Sequence, residues 1–174
     1  MAPSPSKALP IIQQYVDKAV AEVEAQHQGR LQCARGCHAC CVDGLTVFEV
    51  EAQAIRQRHA DLLTQGTPHP QGACALLNAD GACRIYPDRP YVCRTQGLPL
   101  RWLQEDAQGN VEEHRDVCEL NLLGEPSLVQ IGAAACWPIG PVEQKLRELQ
   151  ESIDGGEARR VALRDLFGTP STDS

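Results

Sequence analysis

Nine residues, CARGCHACC over Cys33–Cys41, hold four thiols: Cys33, Cys37, Cys40 and Cys41. A second set is spread wider, with Cys74, Cys83 and Cys93 spaced by eight and nine residues and Cys118 beyond them. Four chemistries use cysteine this densely: a disulfide framework, a metal ion, an iron–sulfur cluster, or a reactive thiol. Thiolates suit zinc and iron–sulfur clusters and do not suit calcium or magnesium. Two separated groups of thiols in non-helical chain point to metal binding more strongly than a lone CxxC would.

The chain-wide properties narrow the choice. The start, MAPSPSKALPIIQQ, lacks a basic segment followed by an apolar one, so no export signal is expected and a cytoplasmic, reducing location is. In that setting cysteine patterns serve metals or catalysis rather than disulfides. The cysteine count, nine, is odd, so any full set of disulfides leaves one over. The net charge of -7 argues against nucleic acid and anionic membrane as partners. No apolar run approaches the ~20 residues of a membrane helix. The partner expected is a metal ion or cluster, with room left for a protein partner.

Cys40 and Cys41 are adjacent, and neighbouring side chains diverge, so one metal is awkward for both. Three arrangements stay open. The pair serves two neighbouring metals, or one thiol ligates while the other is free and reactive, or one packs as a small apolar group. Cys136, in GAAACWP, has no partner pattern and reads as a buried structural thiol. His38 lies between the cysteines and reads as a solvated loop residue before a nitrogen ligand. The C-x3-C-x2-C spacing of Cys33, Cys37 and Cys40 is shared with radical-SAM enzymes, but the alternating strands and helices of that barrel are missing.

CHACC, followed by a helix carrying Glu49 and then by CALLNADGACRIYPDRPYVCR, resembles the YkgJ-type cysteine-cluster family over residues 33–95. Cys37, Cys40 and Cys41 match the first part of its pattern. Cys74, Leu77, Gly81, Cys83, Ile85, Tyr86, Arg89, Pro90, Cys93 and Arg94 match the second. The resemblance implies a domain that chelates zinc or iron. It also reaches, at a distance, the flagellin lysine N-methylases, longer proteins thought to use an iron–sulfur centre. The expected ligands are Cys33, Cys37, Cys40, Cys41, Cys74, Cys83, Cys93 and Cys118, with Tyr86, Arg89 and Arg94 around them. Arg89 and Arg94 place cations beside an anionic thiolate site, where they lower thiol pKa, bind an anionic ligand or form surface salt bridges.

These thiols need elements to hold them. A 174-residue chain suits one domain. The expected fold is α+β and mainly α, a small single domain of about four helices plus a β-hairpin, with long irregular loops around the metal centre. Its span is residues 8–168, between a disordered start at 1–7 and a disordered tail at 169–174. Apolar periodicity predicts a helix over 8–26. Thr46 and Glu49 read as a capping box opening a second helix that runs to about Leu63, with Phe48, Ala52, Ile55 and Leu62 on one stripe. His59 lies on that stripe as a packed, hydrogen-bonded side chain. Residues 64–94 look irregular, and a loop that long needs something to order it. LPLRWLQ and NVEEHRD flank DAQGN as a hairpin. Pro141 opens a further helix, and a short one is expected over 157–167.

No dedicated acid–base pair and no nucleotide motif is present, which favours a structural or metal-handling protein over an enzyme. The alternatives are an iron–sulfur-dependent modifying enzyme of the N-methylase kind and a thiol redox protein. The sequence leaves zinc against iron–sulfur undecided, since four thiolates serve both.

Overall fold

A computed structural model describes residues 5–123 and 126–168. The expectations for residues 1–4 and for the tail 169–174 lie outside them. Residues 5–7 belong to the first helix, so they are not frayed as expected. The architecture is α+β and mainly helical.

Helix α1, Pro5–Gln26, starts ahead of the expected residue 8. Its stripe of Leu9, Val16, Val20 and Val23 is buried, and it packs with Val142 and Leu146 of helix α5, Pro141–Asp154. Proline at the first position of α5 loses nothing, because that N–H has no partner inside a helix.

Thr46 does not cap a helix. Thr46–Phe48 is strand β1, and it pairs antiparallel with β5, Arg160–Ala162. The Thr46 hydroxyl accepts from Arg160 Nε at 3.1 Å, and the Glu49 carboxylate binds Arg56 at 2.5 Å. Both halves of the apparent capping box are therefore engaged elsewhere. The helix expected over 157–167 is β5 followed by a 3-10 turn, Leu163–Leu166. Pairing to β1 gives that segment's backbone its hydrogen bonds, and Leu163 N–H adds one to Leu45 O at 2.9 Å.

Helix α2, Glu49–Arg58, is separated from α3, Ala60–Gln65, by a break at His59. The break shifts the phase, so Leu63 is buried where Leu62 was expected. His59 Nε2 bonds Asp88 at 3.0 Å, the packed, hydrogen-bonded role anticipated for it. Gln150, buried on α5, accepts from Val50 N–H at 2.7 Å and so satisfies a donor in the first turn of α2.

The hairpin forms as expected. β2, Leu100–Glu105, pairs antiparallel with β3, Val111–Asp116, and β4, Trp137–Pro138, adds in parallel beside β2. Between α3 and β2 the regular structure is a 3-10 turn at Tyr86–Asp88 and the single helical turn α4, Tyr91–Arg94.

Two apolar clusters result. One joins α1, α5, Leu98 and Trp137. The other joins Val47, Ile55, Leu63, Leu76, Ile85 and Leu166, with Cys74 inside it and Cys41 and Cys83 packed on it. The second cluster is the floor on which these three thiols sit. No helix among the described residues is long and apolar enough to cross a membrane.

Candidate metal centre

All nine cysteines are free thiols. The first cysteine segment follows α1 as a loop, tightened by Cys37 N–H to Ala34 O at 2.9 Å and Cys41 N–H to His38 O at 2.8 Å. It docks on the turn at 78–82. A Cβ on Gly81 would stand 2.6 Å from His38 Nδ1, and Gly81 has φ 74°, so this residue is glycine for two separate reasons. His38 Nδ1 donates to Gly36 O at 2.8 Å, with the ring exposed.

Cys33 is held from the other side. Asn121, 1 % exposed, accepts from Gln32 N–H at 2.7 Å and donates to Gly97 O at 2.7 Å and to Cys33 Sγ at 3.5 Å. Asn121 N–H bonds Cys118 O at 2.7 Å, which closes the turn that carries Cys118. A Cβ on Gly97 would come within 2.6 Å of Cys33 Sγ. The backbone is thus cut back where this sulfur sits. Burial raises the Cys33 pKa, and the charges of Cys118, Cys37 and Cys40 push the same way.

The second segment is tied to the first by Cys74 N–H donating to Cys41 O at 2.8 Å. A bridge between Leu77 and Cys83 folds the chain back, and Arg84 N–H reaches Leu76 O at 2.9 Å. Cys93 sits in α4, its N–H bonded to Pro90 O at 3.0 Å. Burial pushes the Cys93 thiol up to about 12, helped by Cys74 and Cys83. Burial likewise raises Cys74 and Cys83.

Interaction with the adjacent Cys41 side chain holds Cys40 down to about 6, and the same interaction together with burial pushes Cys41 up. Arg89 and His38 add to the lowering at Cys40.

The cations divide. Arg89 stacks on Tyr86 at 4.1 Å, and its charge favours the thiolates of Cys40, Cys83 and Cys93. Arg94 is buried and turned to Asp17 of α1, at 2.6 and 2.8 Å. Cys136 is buried, and burial raises its pKa.

Sequence reasoning missed three residues. Arg164 grips Asp43 with two hydrogen bonds, at 2.9 and 2.8 Å, and also donates to His69 O and Ala73 O. Arg84 donates to Ala75 O at 2.6 Å. Asn121 is the third. Together with Asn78, whose Oδ1 accepts from Asp80 and Ala82 N–H, the two arginines give residues 64–94 an order of their own. Arg164 and Asn121 are far in sequence from the loops they fix, whereas Arg84 and Asn78 lie within theirs.

Among the described residues, no three Cys, His, Asp or Glu side chains converge at ligating range as they stand. The sulfurs are placed as free thiols, and each has three staggered positions about χ1. The donor set is soft and sulfur-rich, and Gly97 leaves room at Cys33. Both observations fit zinc or iron and do not fit a hard cation.

Residues 32–119, half of the chain, match the family model CxxCxxCC, whose description is "Putative zinc- or iron-chelating domain". No curated protein and no solved structure gives a significant match.

Proposed function

Because the chain belongs to the CxxCxxCC family, we propose that it holds zinc or an iron–sulfur cluster through Cys33, Cys37, Cys40, Cys41, Cys74, Cys83, Cys93 and Cys118. The observation that carries this reading is the docking of the two cysteine segments. Cys74 N–H on Cys41 O, His38 against Gly81, and Asn121 between Cys33 and the Cys118 turn tie the loop of Cys33–Cys41 to the segments that carry Cys74 and Cys118 and to the turn at 78–82. Cys136 stays outside.

The role is structural or metal-handling. Sites closed by four thiolates leave no open position for a substrate, whereas catalytic zinc keeps one. A metal here would join loops from separate stretches of the chain, and its binding energy would add to folding. The protein works in a reducing compartment, where these thiols stay available.

The lowered pKa of Cys40 favours a second reading, a thiol that reacts. A sulfur held near 6 is largely thiolate at neutral pH and is nucleophilic. In that case one of the pair stays unligated in the metal-loaded protein. Alkylation near pH 6.5 with the metal in place separates the two readings. Labelling at Cys40 or Cys41 with metal retained supports the reactive thiol, and no labelling supports chelation.

The test of the first reading is metal and acid-labile sulfide analysis, with a visible spectrum, after anaerobic purification. A colourless protein with zinc assigns zinc. A brown protein with iron and sulfide assigns the cluster. A folded protein with neither contradicts the proposal.

A further inference from the structure

Resting on the chelation reading, we propose that the thiols form two four-sulfur sets, Cys33–Cys37–Cys40–Cys118 and Cys41–Cys74–Cys83–Cys93, holding two thiophilic metal centres side by side. The boundary between the sets runs through the peptide joining Cys40 to Cys41.

Different parts of the fold build the two sets. Cys33, Cys37 and Cys40 lie on one loop, and Asn121 fastens that loop to the turn carrying Cys118. None of this framework belongs to the second apolar cluster. Cys41, Cys74 and Cys83 lie in or on that cluster, together with Val92, the neighbour of Cys93. The Cys74–Cys41 hydrogen bond and the Leu77–Cys83 bridge fold their segments together.

An adjacent cysteine pair is what such a boundary requires. One loop must supply the last ligand of one centre and the first of the next, and consecutive residues do this with the least chain. Arg89 acts on Cys40 of one set and on Cys83 and Cys93 of the other. A cation there offsets the surplus negative charge that two four-thiolate centres carry. Each ligating thiol releases its proton to solvent as the metal binds.

Native mass spectrometry of the full chain, expressed with Co2+ supplied and purified anaerobically, counts the metals directly. The expected counts are two Co2+ in the unaltered chain, one in Cys118→Ser, one in Cys83→Ser, and none in the double variant. Cys136→Ser keeps both. One Co2+ per unaltered chain overturns the division while leaving chelation standing. So does loss of both metals from either single variant that remains folded by circular dichroism. If the single variants fail to fold, the count in the unaltered chain decides. An unaltered, folded chain with no metal overturns the chelation reading itself, and the division with it.

Discussion

Asn121 donates its side-chain amide to the sulfur of Cys33 at 3.5 Å while its carbonyl oxygen accepts from Gln32 N–H at 2.7 Å. One buried side chain thus sets the position of a thiol 88 residues away. Asn121→Ala strands the Gln32 N–H and the Gly97 carbonyl, a loss of about 1–3 kcal/mol per buried group left unpaired. Urea unfolding should show destabilisation on that scale. Metal loss should begin at the centre served by Cys33, and unchanged stability would mean that water replaces the amide.

Glu51 gives the pH dependence. It is buried, and burial raises its pKa, against the N–H of Tyr91 at 2.8 Å that favours the charged form. Below the ordinary carboxylate range both the folded and the unfolded chain hold this proton, and nothing is lost. As pH rises through that range the unfolded chain releases the proton and the folded chain keeps it. Stability then falls until the pH reaches the folded value. Glu51→Gln keeps the acceptor for Tyr91 and should flatten this fall in denaturation midpoints measured from pH 4 to 8. A variant whose profile parallels the parent's would assign the dependence to other groups.

Arg94 faces Asp17 rather than the sulfurs. Breaking a fully buried ion pair costs about 3–5 kcal/mol, but Asp17 is 56 % exposed, so water screens this one. Asp17→Ala should cost roughly 1–2 kcal/mol and leave metal content unchanged. A stable variant that has lost metal would place Arg94 in the site after all.

Loading should release protons. Burial holds Cys33, Cys74, Cys83 and Cys93 in their protonated forms, and the interaction with Cys40 does so for Cys41. A metal must displace each such proton, so affinity should rise with pH by about tenfold per unit for every proton displaced. Zn2+ titration in weak buffer with an indicator dye reads this as acidification. Uptake without acidification would mean that the thiols are not the ligands.

How much the sequence disclosed depended on the reach of each interaction. The hairpin at 100–116 and the start of α5 at Pro141 were legible, because turn residues and proline act on their own neighbours. The capping box failed because Arg160, 114 residues away, takes the Thr46 hydroxyl and Arg56 takes Glu49. The same strand pairing removed the helix expected after residue 157. At the site, cysteine spacing revealed the candidate ligands and left the framework hidden. Asn121, Arg164 and Gly97 act across the fold, and no local pattern marks them.

The most direct test of the central claim is X-ray absorption at the edge of whichever metal copurifies with the full chain. The account predicts a shell of sulfur alone, about four per metal, at about 2.3 Å if the metal is zinc. A shell dominated by nitrogen or oxygen would contradict it.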